Sequence, residues 1–373
     1  MIFLRSGPKI VVSGYYGFDN SGDEAILMSI IHCIRKLQPD ARIVVLSDSP
    51  EKTQDMYDVK AVNRWSPLEV AWEILTCRLL ISGGGSLIQD VTSARSPSYY
   101  LSVIFGANMM GKRTMIYGQG VGPITREENR VRTAKVLNKC HAITVRDSQS
   151  ADLLKELGVQ KDIQVTCDPV MALSYEDVDK EEVRDYLVDM DILDGMGRKR
   201  KPLLLAAVRS WKEDKHLEPI AELLDARARM GWDVLLAPAH FPRDMEAIHK
   251  IANRMTERMY CLGKSLTASQ FLALTTYADR VFSMRLHGLI FAMAMGVPMV
   301  GLSYDPKIDA FMAQAGVERF CLPYDDFDWE TAEFLLEEIE ASPLDSRLWQ
   351  EKRRREMQEV AWDMARKAVE LLK

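Results

Sequence analysis

The stretch Asp279-Arg-Val-Phe-Ser283-Met-Arg285-Leu-His287-Gly288-Leu-Ile-Phe-Ala-Met-Ala-Met-Gly296-Val-Pro298 reads as an apolar strand that passes directly into a helix of small residues. That handover is the signature of a strand–helix repeat and places the chain in the α/β class. An arginine and a histidine stand at the junction. Backbone N–H groups and the helix dipole make such a junction attractive to anions, and Arg285 adds a forked cation suited to phosphate or carboxylate. His287 adds a proton carrier. The plainer alternative is a surface arginine beside a satisfied loop histidine.

Working outward, short aliphatic runs alternate with helical patterns along the whole chain. Strands are expected at Lys9 to Ser13, Arg42 to Leu46, Arg78 to Ser82, Arg113 to Tyr117, Ala142 to Val145 and Ile163 to Cys167. A second series is expected at Leu203 to Val208, Asp233 to Ala237, Met259 to Leu262, Arg280 to Phe282, Pro298 to Gly301 and Arg319 to Leu322. Between the series, the charged stretch around Arg198-Lys-Arg-Lys201 has no strand signal. The reading is therefore two facing Rossmann-like domains with the active cleft between the carboxyl ends of their sheets. The expected boundaries are an N-terminal Rossmann-like domain at 1–175, a linker at 176–202, a C-terminal Rossmann-like domain at 203–345 and a C-terminal helix at 346–373.

Composition narrows the class of function. At 373 residues the chain has room for two domains of about 150 residues. Hydrophobic residues make up 47% and charged ones 27%, ordinary globular usage. A net charge of −6 excludes general nucleic-acid binding, which needs a basic field. Six cysteines are scattered singly without metal-ligand spacing, and they read as small core hydrophobes. Residues 1–14 form neither a signal peptide nor a membrane span, so the cytoplasm is the expected compartment.

Several loops converge at the expected carboxyl edges. Gly14-Tyr-Tyr-Gly17-Phe-Asp19-Asn20-Ser21-Gly22-Asp23-Glu24 enters a helix after the first strand. There Asn20, Asp23 and Glu24 can cap the helix or hydrogen-bond the hydroxyls of a sugar. The pattern G-x-x-x-x-G-K-[ST] is missing, so this is not a P-loop. Gly83-Gly84-Gly85-Ser86 and Gly118-Gln119-Gly120-Val-Gly122 add two backbone-lined turns. Arg146 and Arg209 end strands as Arg285 does; each can serve a ligand or a surface ion pair. His240, within Pro238 to Asp244, and Lys307, after Ser303-Tyr-Asp-Pro306, follow two further second-half strands.

Together Asn20-Ser-Gly22-Asp23-Glu24, Gly83-Gly84-Gly85, Gly118-Gln119-Gly120, Val145-Arg146-Asp147, Asp168-Pro169 and Arg285-Leu-His287 resemble the polysaccharide pyruvyltransferase family over residues 9 to about 315. The chain is most similar to its bacterial cell-wall branch, associated with the polymer that anchors S-layer proteins. Ser283-Met284 stand where a glycine is common before the arginine, and Gly288 stands where alanine is more usual. The resemblance implies a glycosyltransferase-B-like fold and a phosphoenolpyruvate donor. It further implies a lipid-linked amino-sugar disaccharide acceptor, whose N-acetylmannosamine becomes a 4,6-ketal as phosphate leaves.

On that reading His287 is the acid and Arg285 its catalytic neighbour. Arg285, Lys307, Arg146 and Arg209 bind the donor; Asn20, Asp23, Glu24, Gly84, Gln119 and His240 bind the acceptor. No cofactor and no metal is called for. A lipid-linked acceptor would bring the chain to the inner membrane face, and Arg198 to Lys201 offer four adjacent cations for anionic headgroups or simply a solvated linker. A nucleotide-sugar glycosyltransferase of the same fold and a non-catalytic glycan-binding protein are the competing readings.

Overall fold

A computed structural model describes residues 7–91, 96–340 and 344–373 of the chain. It divides into two compact units, one made of 1–172 with 357–373 and the other of 173–356.

The first unit carries the strands β1 (Lys9–Ser13), β2 (Arg42–Ser47), β3 (Lys60–Asn63), β4 (Leu79–Ser82), β5 (Gly85–Ile88), β6 (Arg113–Val121), β7 (Ala142–Val145) and β8 (Ile163–Val165). They lie in the order β3-β2-β1-β4-β6-β7-β8, with β5 paired to β6 beside that path, and every pairing is parallel. Strands covered on both faces must be apolar along their length, which is why Ile10, Val11 and Val12 of β1 and all of β4 are buried. One face packs on Val70, Ile74, Leu101, Ile104, Val136 and Leu137 of the crossover helices. Residues 357–373 join this unit, where Thr166 Oγ1 donates to Met364 Sδ and Arg78 and Arg113 donate to the last helical carbonyls.

The second unit holds β9 (Leu203–Ala207), β10 (Asp233–Leu236), β11 (Tyr260–Cys261), β12 (Arg280–Ser283), β13 (Met299–Ser303) and β14 (Cys321–Pro323). Their order is β11-β10-β9-β12-β13-β14, again parallel throughout. Each sheet therefore reverses its winding beside its first strand, between β1 and β4 and between β9 and β12. Connections leave the sheet in opposite directions there and open a crevice at the carboxyl edge. The loops at those reversals are the ones singled out by sequence.

Two strands escaped the sequence reading. Lys60–Asn63 offers only Ala61 and Val62 between polar ends, and Gly85–Ile88 begins inside a glycine run that reads as a turn. The segment read as a linker folds in part as the helix Glu181–Asp189, with Val183 and Leu187 buried. Its cationic run is paired residue by residue: Arg198 with Asp194 at 2.8 Å, Lys199 with Asp279 at 2.6 Å, Arg200 with Asp191 at 3.1 Å and Lys201 with Asp233 at 3.8 Å. Among the described residues no helix is long and apolar enough to cross a membrane.

A buried ion pair ties two helices of the second unit together. Arg227, 1% exposed, donates from Nε to Glu333 Oε2 at 2.8 Å. Removing one partner leaves the other charge stranded in a dry site. Glu333→Ala is expected to cost about 3–5 kcal/mol. The double change Arg227→Met with Glu333→Leu should cost far less, and urea midpoints of the two variants measure the difference.

Candidate active site

In the first unit the edge is built around a tyrosine. The Tyr16 ring is fully buried and occupies the space where a side chain at Gly14 or Gly83 would begin, 2.2 and 2.1 Å from their would-be Cβ atoms. Only glycine fits at both positions, so the loops after β1 and β4 close on one ring. Asn20 accepts from the Gly22 N–H at 3.1 Å and caps the helix Ser21–Leu37. Asp23 is half-buried, and its carboxylate passes within 2.5 Å of a would-be Cβ on Gly85, which adopts φ +81°.

Glu24, expected on the acceptor side, is turned inward. Its Oε1 accepts from the Gly17 N–H at 2.7 Å and its Oε2 from the Tyr57 hydroxyl at 2.9 Å. Burial raises its carboxyl pKa. Gln119 is likewise buried, and its Nε2 donates to Ser82 Oγ and the Gly83 carbonyl, pinning the glycine turn that contains Gly84. These residues shape the loops of this edge from behind. Arg146 is also buried: Nη2 donates to Ser86 Oγ at 3.1 Å, Asp168 lies at 3.5 Å and Asp147 at 3.6 Å. Its guanidinium lies on Gly120, where a Cβ would come within 2.8 Å.

One participant on this edge was missed. Arg64 donates to the Gly14 carbonyl at 2.9 Å, with the rings of Phe18, Trp65, Tyr99 and Tyr100 at 4.3 to 5.2 Å around its guanidinium. Arg64 follows β3, the strand that the sequence did not reveal, so nothing marked it as the end of a strand.

The second unit gathers cations. Arg285 precedes the helix Leu286–Met295, and its Nε and Nη2 both donate to the carboxylate of Asp244, which is fully buried. Asp244 also accepts from the His240 N–H at 2.9 Å. Burial, Arg209 and Arg243 push the Arg285 guanidinium down to about 10, which leaves it charged at neutral pH. Arg209 donates to the Tyr304 hydroxyl at 2.9 Å and lies 5.1 Å from the rings of both Trp211 and Tyr304.

His287 is half-buried on the first turn of its helix, with its ring 5.9 Å from that of Phe291. Lys307 occupies the first turn of the helix Pro306–Ala315, Nζ 3.9 Å from Asp305. Backbone N–H groups, Arg209, Arg243 and Arg285 thus converge at the reversal of the second sheet, a setting that favours an oxyanion. Among the described residues no group of three or more His, Cys, Asp and Glu could hold a metal ion.

Ser283 and Gly288 explain one another. Ser283 Oγ accepts from the Arg285 N–H at 2.9 Å and donates to the Arg285 carbonyl at 2.8 Å, which shapes the turn into the helix. A Cβ on residue 288 would lie 2.4 Å from that Oγ, so the serine requires the glycine. Alanine gains about 1 kcal/mol over glycine in a helix, while overpacking costs about 1–3 kcal/mol. Gly288→Ala should therefore lower the melting temperature, and adding Ser283→Gly should recover most of the loss.

Residues 20–306 match the family model described as polysaccharide pyruvyl transferase. No curated protein matches the sequence. Among solved structures, Anabaena Alr3699/HepE in complex with UDP-glucose is 14% identical over 97% of this chain and 98% of that one, with a TM-score of 0.59. The UDP-GlcNAc 2-epimerase from Neisseria meningitidis bound to UDP-GlcNAc is 12% identical over 98% and 99%, with a TM-score of 0.61. The E. coli ADP-heptose lps heptosyltransferase II is 14% identical over 92% and 99%, with a TM-score of 0.50. At these identities the likeness establishes the fold, that of glycosyltransferase-B-type enzymes and epimerases. With more than half its length matched by that model, the chain belongs to the polysaccharide pyruvyl transferase family.

Proposed function

We propose that this enzyme transfers the pyruvyl group of phosphoenolpyruvate to a cell-wall amino sugar and releases phosphate. The product is a 4,6-ketal on N-acetylmannosamine of a lipid-linked disaccharide. The observation that carries the reading is the placement of His287 and Arg285 at the amino end of one helix, with Arg209 and Arg243 close by. That edge pairs a proton donor with the cations a trianionic donor needs.

His287 delivers a proton to C3 of the enol phosphate, so that C2 becomes the electrophile. One sugar hydroxyl attacks C2, the C–O bond to phosphate breaks, and the second hydroxyl closes the six-membered ring. Of the two protons lost by the diol, one balances the proton placed on C3 and the other leaves with phosphate. Arg285 is oriented by Asp244 and steadies the donor's charge; Arg209, which donates to Tyr304, and Lys307, near Asp305, add further cations. On the acceptor side the roles fall to Asn20, Asp23 and the Gly84 backbone, with Glu24 and Gln119 holding the loops in shape.

Phosphate release with phosphoenolpyruvate, measured against a panel of nucleotide sugars, tests the reaction class. Turnover of a nucleotide sugar alone would select the glycosyltransferase reading. Within the proposed reaction His287→Ala should lower the rate by roughly 10²- to 10⁴-fold with the fold preserved. Lys307→Ala should weaken phosphoenolpyruvate use by roughly 10- to 150-fold, the value of one charge-assisted contact of about 1.5–3 kcal/mol. Asn20→Ala should instead raise the acceptor KM, and the reverse pattern would exchange the two substrates between the units.

A further inference from the structure

One face of the first unit carries more exposed apolar side chains than folding explains. The helices Pro67–Thr76, Ser96–Met109 and Glu127–Leu137 lie together on one side of the sheet, joined beneath by a shared buried layer. The first two of these helices also carry apolar side chains on their outer surfaces. Leu68, Trp72 and Leu75 recur at helical spacing on the first helix and are 85%, 61% and 51% exposed. Met109 on the next helix is 64% exposed and is followed by the exposed Met110. Single exposed hydrophobes are ordinary, but a stripe continued onto a neighbouring helix marks a surface with a partner.

Charge identifies that partner. The helices are antiparallel to parallel strands, so their amino ends share one edge and their carboxyl ends the other. Acidic Glu69, Glu127 and Glu128 sit at the amino ends. At the carboxyl ends, beside Leu75 and Met109, Lys112 lines a hollow with Lys9, Arg78 and Arg113, of which Lys9 is paired with Glu73 at 2.7 Å and the two arginines donate to carbonyls of residues 371–373. Lys139 stands 5.9 Å from the Phe105 ring. Helix carboxyl ends attract cations, and here they collect next to the apolar stripe.

We propose that this face seats on the surface of an anionic bilayer. Trp72, Leu68 and Leu75 enter the boundary between headgroups and acyl chains, while Lys112 and Lys139 meet headgroup phosphates. Tryptophan suits that boundary because its ring is apolar and its N–H polar. A second copy of the chain is the other occupant with a matching apolar face, but it would bring Lys112 and Lys139 of both copies to one contact. The proposal stands on exposure and charge in the first unit and is independent of the donor and acceptor assigned above.

Flotation with vesicles of phosphatidylcholine containing phosphatidylglycerol, compared with phosphatidylcholine alone, tests it. The wild-type chain should float with the anionic vesicles, and Leu68→Ser with Trp72→Ser should release it. Lys112→Gln and Lys139→Gln should each weaken binding about five-fold, the equivalent of ~1 kcal/mol per cation, with unchanged melting temperature. Neutralising Arg198 to Lys201 should leave binding unaltered. A wild-type chain that stays unbound, or lysine variants that bind as it does, overturns the proposal. So does a dimer in sedimentation velocity that Trp72→Ser dissolves, which would assign the face to a second copy.

Discussion

Asp244 holds Arg285 at the amino end of a helix, where a lone arginine would face the positive end of the dipole and the nearby Arg209 and Arg243. Without a counter-charge, burying that guanidinium would cost several kcal/mol. The fully buried carboxylate supplies the counter-charge and fixes the direction of the fork, since both of its oxygens are engaged. Because the pair is close to neutral as a unit, attraction for a highly charged donor must come from the cations that surround it. In the proposed reaction Arg285 would contribute direction, while Arg209, Arg243 and Lys307 would contribute field.

The same strand order in the two units places opposite chemistry at equivalent reversals. The helix Ser21–Leu37 begins with Asn20, Asp23 and Glu24, which answer its dipole with capping oxygen and carboxylate. The helix Leu286–Met295 has no acidic residue in its first turn and no side-chain cap at Arg285. One amino end is answered by carboxylates and a capping side chain; the other is not. Hydroxyl groups suit the first setting and oxyanions the second, which is why the donor is assigned to the second unit.

Much of this was legible in sequence because parallel strands covered on both faces are written as continuous apolar runs. Lys9–Ser13 and Ala142–Val145 could be read to the residue. Lys60–Asn63 could not, since two apolar residues at the edge of a sheet carry too little signal, and Arg64 was lost with it. The strand–helix junction at Arg285 and His287 was legible, whereas the partnership of Arg285 with Asp244, far away in sequence, depends on folding. Glu24 shows a related limit. A carboxylate in the first helical turn suits a ligand and a loop N–H equally well, and only the path of Gly17 decides between them.

The cations of the chain make the same point about charge. Arg198 to Lys201 is one of two runs of four consecutive cations in the sequence, with Lys352 to Arg355, yet an aspartate lies within 4 Å of every member, and the field beyond it is correspondingly small. Lys9, Arg78, Lys112 and Arg113 come from separate strands and turns, and the sheet brings them into one hollow, where Glu73 takes up Lys9 and the carbonyls of residues 371–373 take up the two arginines. Lys112 and Lys139 stand at the carboxyl ends of helices that point the same way. A sequence reports how many charges stand in a row; the sheet topology decides which of them remain to meet another molecule.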